Sequence, residues 1–212
     1  MEFEVIEVGS KPENPFTLDN RFKILKVKNA FDAEYVKDVA LKYEPEILKL
    51  PVTPTVGNTK IANTTTGRHK RYNVLEYPEL HFMKEVFYKS MLEFCSVYET
   101  EFVPTALSVW FNILRQDQIV GSHNHMVKKD KVETWFAGNT AVDANDTYTV
   151  FEDKYTKEKY YLENKNGELY MFPAWTQHWS EGNKGLRITM AFDCSPNPKI
   201  YMPDRKYVMI GE

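Results

Sequence analysis

"NGELYMFPAWTQHWSEGNKGLRITMAFD", residues 166–193, sets two hydrophobic runs, 168–175 and 186–193, on either side of a polar turn. In the second run Leu186, Ile188, Met190 and Phe192 share one face, because side chains alternate along an extended chain. Arg187 points the other way, with Thr189 and Ala191. An arginine alternating inside a hydrophobic strand needs a partner. It is either a salt-bridged structural residue or the anchor of a bound carboxylate, which its planar fork fits with two parallel hydrogen bonds. His178 follows a strand that ends at Pro173 and precedes the Gly- and Asn-rich turn.

The same texture runs back to Thr105. In "TALSVWFNIL" (105–114) Leu107, Val109, Phe111 and Ile113 alternate with Ser108, Trp110 and Asn112. "VETWFAGN" (132–139), "TYTVFED" (147–153) and "YYLEN" (160–164) read as further strands, divided by turn residues. Short strands without intervening helices predict an antiparallel sandwich or barrel.

The first half of the chain differs. After an early strand, "FKILKVKNAF" (22–31), Asp32 stands as an N-cap before Tyr35, Val36, Val39, Ala40 and Tyr43 at helical spacing. Pro78 opens a second helix, with Leu80, Met83, Phe87, Met91, Phe94 and Tyr98 as its buried stripe. His81 falls in its exposed first turn and has no assigned role. Between the helices, 51–73 is polar, aperiodic and punctuated by Pro and Gly. Loops of that length are usually functional or mobile. Its knot Arg68-His69-Lys70-Arg71 reads as a solvated face or an anion site. Helices first and strands second make the chain α+β, with helices bracing one face of a β-core.

Composition sets the outer bounds. At 212 residues, 42% hydrophobic and 14% aromatic, the chain suits a single β-rich globular domain with a substantial core. A net charge of −3 makes no electrostatic case for nucleic acid or an anionic membrane as partner. Cys95 and Cys194 are too few for a disulfide framework, which suggests a reducing, cytoplasmic setting. No apolar run approaches the ~20 residues of a membrane span. The N-terminal "MEFEVIEVGS" is acidic and alternating, unlike a signal peptide.

"GSHNHMV" (121–127) holds two of the five histidines. If it is extended, His123 and His125 point to the same side and can grip one metal ion; otherwise they are a surface pair in a loop. With His178 about fifty residues later and Arg187-Ile188-Thr189 after it, the set resembles the iron(II)/2-oxoglutarate-dependent oxygenases over about 105–193. That family carries His-x-Asp/Glu on one strand, a distal His on another, and Arg-x-Ser/Thr for the far carboxylate of 2-oxoglutarate. "WFNILRQDQIVGSHNH" and the stretch that opens this section look most like its prolyl-hydroxylase-like branch, which includes small members from bacteria and their phages. In a phage-encoded protein the setting would be the host cytoplasm.

The resemblance implies a double-stranded β-helix (a cupin-like jelly roll) over 103–195, supported by helices and a lid loop in 1–102 and followed by an extension, 196–212. It implies Fe(II) at His123, His125 and His178, with 2-oxoglutarate and O₂ as co-substrates and ascorbate as an assay additive. Arg187 and Thr189 would hold the 5-carboxylate, Asn112 would contact the co-substrate, and no catalytic residue beyond the metal ligands is implied. Trp110 would line the barrel beside Asn112, either touching the co-substrate or simply packing. Trp175 and Trp179, which flank His178, would wall the pocket or pack. The product side is hydroxylated substrate, succinate and CO₂. By analogy with the branch the substrate is a peptidyl proline; an amino acid or a nucleobase stays open.

One position departs from the pattern, since His125 stands where the family has a carboxylate. Either His125 ligates, giving a three-His site, or Asp130 or Glu133 reaches in from the following loop. Same-face spacing favours His125, and Asp130 sits among Lys128, Lys129 and Lys131 as a solvated turn would. Cupins also bind metal through His-x-His and a distal His, and Gly167, Pro173 and His178 fit half of their second motif. Trp175 stands where that motif wants Gly, and Glu133 lies too far on for the cupin glutamate. A cupin-type metalloprotein without 2-oxoglutarate has no need of Arg187, and a metal-free module leaves all four residues unexplained.

Overall fold

A computed structural model describes residues 1–11, 14, 19, 21–53, 61–125, 134–153, 156–196 and 205–212. The elements are β1 (Glu2–Val8), β2 (Phe22–Lys28), α1 (Ala33–Lys49), α2 (Met83–Val97), β3 (Thr105–Leu114) and β4 (Phe136–Asp143). They continue as β5 (Tyr148–Glu152), β6 (Lys159–Glu163), β7 (Leu169–Pro173), β8 (Gln177–Glu181), β9 (Arg187–Ser195) and β10 (Val208–Ile210). The strands form two antiparallel sheets, β1-β2-β7-β4-β9-β3-β10 and β6-β5-β8. No described helix is long and apolar enough to cross a membrane.

Alternation along the larger sheet sorts its two faces. On β9, Ile188, Met190, Phe192 and Cys194 join the cluster that α1 and α2 cover, while Arg187, Thr189 and Ala191 face the smaller sheet. β4 does the same, with Phe136 and Val142 toward the helices and Ala137, Asn139 and Ala141 inward. The two sheets meet through Val8, Phe22, Ile24, Phe151, Tyr170 and Phe172.

α1 starts where Asp32 accepts the Tyr35 N–H at 3.2 Å, a cap worth about 1 kcal/mol. It buries Val36, Val39, Ala40 and Ile47. α2 begins at Met83 rather than at Pro78, which opens a 3-10 turn instead. Its stripe is buried as far as Phe94, and the Phe87 ring meets Phe192 edge-on at 4.9 Å. Tyr98 emerges at the end, where its hydroxyl donates to the Lys23 carbonyl at 2.9 Å and accepts the Lys23 N–H at 2.8 Å. Gly138 permits Phe192 to lie across β4, since a Cβ there would collide with that ring and with the Tyr170 carbonyl.

Further features differ from the sequence reading. The N-terminal support adds β1 to the expected early strand, β2, which joins the larger sheet through β7, and in the C-terminal extension β10 closes the other edge beside β3. β4 begins at Phe136, later than expected. β8 is a strand where a turn was expected after Pro173, because its inward residues are His178 and Ser180 rather than apolar ones. The histidine pair, conversely, belongs to no regular strand. His123 and His178 exchange main-chain hydrogen bonds, both 2.9 Å, and the His125 N–H donates to the Ala174 carbonyl at 2.9 Å. The segment thus lies as an irregular extra strand beside β8.

Candidate active site

The irregular strand and β8 bring His123, His125 and His178 together, with one potential ligand nitrogen from each within 4.8 Å of the others. Main-chain acceptors orient two of the rings. His123 Nδ1 donates to the Gly121 carbonyl at 2.8 Å and His178 Nδ1 to the Thr176 carbonyl at 3.0 Å. Carbonyl oxygen only accepts, so the neutral rings carry their proton on Nδ1 and leave Nε2 bare. Burial, followed by the charge of His125, lowers the His123 pKa to about 4. Burial does the same to His178, well below the ordinary histidine value, with His123 and His125 adding to it.

His125 is held differently. Its Nδ1 lies 2.5 Å from Asp193 Oδ1, and Asp193 is 1% exposed. The other carboxylate oxygen bonds Arg205, whose guanidinium stands 5.8 Å above the Trp110 ring. Burial alone would raise the Asp193 pKa, but His125 and Arg205 together bring it below the usual carboxylate range. The His125 ring stacks on His178 with an interplanar angle of 6°, and their Nε2 atoms are 3.3 Å apart.

Arg187 opens into the same cleft. It is 3% exposed, and its Nε donates to Thr147 Oγ1 at 3.3 Å. Among the described residues no carboxylate pairs with it; burial lowers its pKa only to about 10, so it remains a cation at neutral pH. The cleft is narrow, with about 60 Å³ of open space, less than the ~300–1,000 Å³ of drug-sized ligand sites. Trp110, Asn112, Trp179 and Thr189 also line it. Asn112 donates to Thr189 Oγ1 at 3.4 Å, and its Oδ1 accepts from Trp110 Nε1 at 3.1 Å and Thr66 Oγ1 at 2.7 Å.

This pairing of sheets recurs in solved structures. An oxidoreductase of the 2OG-Fe(II) oxygenase family from Burkholderia pseudomallei superposes with a TM-score of 0.54 at 12% identity, over 82% of this chain and 84% of that one. The fold is that of the 2-oxoglutarate/iron(II) oxygenases, a double-stranded β-helix. HygX from Streptomyces hygroscopicus, solved with nickel and 2-oxoglutarate bound, gives 0.50 at 11% identity over 82% of each chain. A viral collagen prolyl hydroxylase from Paramecium bursaria Chlorella virus-1, as its 2OG complex, gives 0.51 at 10% identity, over 82% and 96%. No family model matches the sequence, and no curated protein does.

Within this oxygenase fold the six residues singled out from sequence, His123, His125, His178, Arg187, Thr189 and Asn112, line one cleft. Asp130 and Glu133 lie outside the described residues, as does 54–60 of the long loop. The basic knot does not behave as one surface. Arg68 is 8% exposed and donates to the carbonyls of Leu50, Ala62 and Thr64 at 3.2, 2.6 and 2.9 Å, so it closes its own loop rather than meeting an external anion. The 3-10 turn it holds (Thr65–Arg68) delivers Thr66 to the cleft. Trp175 packs on Phe22 at 5.5 Å and is absent from the cleft lining, whereas Trp179 is part of it. The sequence reading missed Asn139 and Thr149, which also line the cleft, and Asp193 and Arg205 behind His125. Asp193 had one signal, its place two alternations beyond Thr189 on the inward face of β9.

Proposed function

We propose that the chain is an iron(II)- and 2-oxoglutarate-dependent dioxygenase that hydroxylates a C–H bond. Arg187 is the observation that carries this reading: a buried cation, with no carboxylate partner among the described residues, in the same cleft as three histidine nitrogens. An unanswered buried charge costs several kcal/mol, so the site calls for an anionic ligand. A three-His metalloprotein without 2-oxoglutarate leaves that cation without purpose.

The donor set fits the metal. Two neutral imidazoles and a third backed by a carboxylate turn their remaining nitrogens toward one another, and neutral imidazole suits iron(II). His123, His125 and His178 would hold it, with His125 as third ligand in place of a carboxylate. When bound, iron(II) with O₂ and 2-oxoglutarate supplies the oxidising chemistry, converting substrate C–H to C–OH as 2-oxoglutarate becomes succinate and CO₂.

The chain's own work is binding and orientation. Arg187 would hold the 5-carboxylate with its fork. Thr189 Oγ1 already accepts from Asn112, so its own hydroxyl proton is left to donate to the same carboxylate. Trp110 and Trp179 wall the cleft against water. Peptidyl proline is the first substrate class to try, on the likeness to a viral collagen prolyl hydroxylase, followed by free amino acids and nucleosides. Two free, buried cysteines agree with a reducing cytoplasm.

The test is succinate release with iron(II), ascorbate and a panel of prolyl peptides, amino acids and nucleosides. Substrate-dependent succinate is expected from one class. Calorimetry that detects no 2-oxoglutarate binding to the manganese-loaded protein would move the assignment to the cupin-type reading.

A further inference from the structure

We propose that Asp193 is a positioning residue for the metal, returning through the Nδ1–H of His125 the negative charge that is missing where the oxygenase pattern has a ligating carboxylate. The proposal rests on the metal site described above and concerns how that site is balanced.

The three rings are not held alike. His123 and His178 donate from Nδ1 to neutral main-chain carbonyls, while His125 Nδ1 lies against a carboxylate oxygen at 2.5 Å. The exception falls at the one position where the family pattern has Asp or Glu. Three neutral imidazoles alone would leave bound iron(II) one unit more positive than two imidazoles and a carboxylate. One buried carboxylate against a ligating ring sets negative charge just behind it, offset in part by Arg205 on the other oxygen. A carboxylate on Nδ1 also fixes the ring's orientation and makes Nε2 a stronger donor to a metal.

The surroundings direct Asp193 to this role. Its cross-strand partners on β3 and β4 are Ser108 and Ala137, neither of them charged. The described groups that answer its charge are His125 on Oδ1 and Arg205 on Oδ2. Arg205 therefore sets the rotation of the carboxylate and leaves Oδ1 aimed at His125. On β9 Asp193 shares the inward face with Arg187, so one strand carries both the anion anchor and the support for the metal.

Manganese(II) binding, measured by calorimetry on the full-length protein, tests the proposal without any turnover. Asp193→Asn keeps the shape and an acceptor for Nδ1–H but removes the charge. The dissociation constant should rise about 10- to 100-fold, as for other partners of ligating histidines. The decisive comparison is a double-mutant cycle. In a His125→Ala background the same Asp193→Asn change should have less than about a 3-fold effect, because the charge then has no ring to act through. If Asp193→Asn alone does not fold, Asp193→Asn/Arg205→Gln buries no unpaired charge. It should still bind manganese at least about 5-fold more weakly than the wild type.

Folded Asp193→Asn protein with wild-type manganese affinity overturns the proposal. So does an undiminished loss in the His125→Ala background, which would assign Asp193 a general structural role. Wild-type protein that binds manganese but not 2-oxoglutarate removes the dioxygenase reading and leaves the Asp193 comparison standing. Wild-type protein that binds no divalent metal removes both.

Discussion

His125 Nε2 and His178 Nε2 face each other at 3.3 Å on two rings that stack within 6° of parallel, each ring tied from its Nδ1 to an oxygen acceptor. A metal ion that takes both nitrogens, with His123, binds the folded chain and not the unfolded one. Adding manganese(II) or iron(II) should therefore stabilise the fold. At 100 times the dissociation constant the gain is about 2.7 kcal/mol, or roughly 5–10 °C in melting temperature for a chain of this size. His178→Ala should lose the metal and the shift together. A His123→Ala/His178→Ala protein that still holds stoichiometric metal would show the site to be elsewhere.

The metal-free protein should weaken on mild acidification. His123 titrates near 4 in the fold, against an ordinary value of 6.5, because it is buried and faces His125. Between those values the unfolded chain takes up a proton that the folded chain refuses. Stability is then fully present above about pH 6.5 and is lost as pH falls toward 4. The slope is up to about 1.4 kcal/mol per pH unit for each such histidine. His178 is shifted in the same direction and adds to it. Urea midpoints measured in chelator from pH 7 to 4.5 should fall steadily, and less steeply in His123→Asn. A flat profile would mean that the histidines are solvated.

Arg68 and Arg71 stand three residues apart and should behave in opposite ways. The Arg68 guanidinium serves three loop carbonyls, while Arg71 is exposed. Arg68→Met leaves buried acceptors unmet and should cost about 2–3 kcal/mol in urea unfolding. Arg71→Met should stay within about 0.5 kcal/mol of wild type. Equal effects would restore the picture of a single basic surface.

These contrasts also show which parts of the molecule the sequence reveals. Arg187, Thr189 and Asn112 were legible because a polar residue on the buried face of a period-two strand has no cheap structural explanation. The histidines were legible as a rare residue type at ligand spacing. Asp193 was not, since alternation puts it on the inward face but only the fold sets it against His125. Arg68 was hidden for a related reason: a run of charges looks solvated, and only the closed loop shows one of them turned inward onto its own main chain. β8 escaped because the site fills its inward positions, so His178 and Ser180 replace the apolar residues that announce a strand.

Arg187 gives the sharpest separation between an anion anchor and a structural cation. Arg187→Lys keeps the charge and most of the volume but replaces the planar fork with a single ammonium. A charge-assisted hydrogen bond is worth about 1.5–3 kcal/mol net. Losing one should raise the 2-oxoglutarate dissociation constant about 10- to 150-fold, at 1.4 kcal/mol per decade. Manganese affinity in the absence of 2-oxoglutarate should stay near wild type, because the arginine touches none of the three histidines. The hydrogen bond described for its side chain is the one to Thr147 at 3.3 Å, so melting temperature should fall little. A structural arginine would give the reverse: a large fall in melting temperature with 2-oxoglutarate binding unchanged. Calorimetry with the redox-inert ion in place measures both affinities on one sample, before any substrate is known.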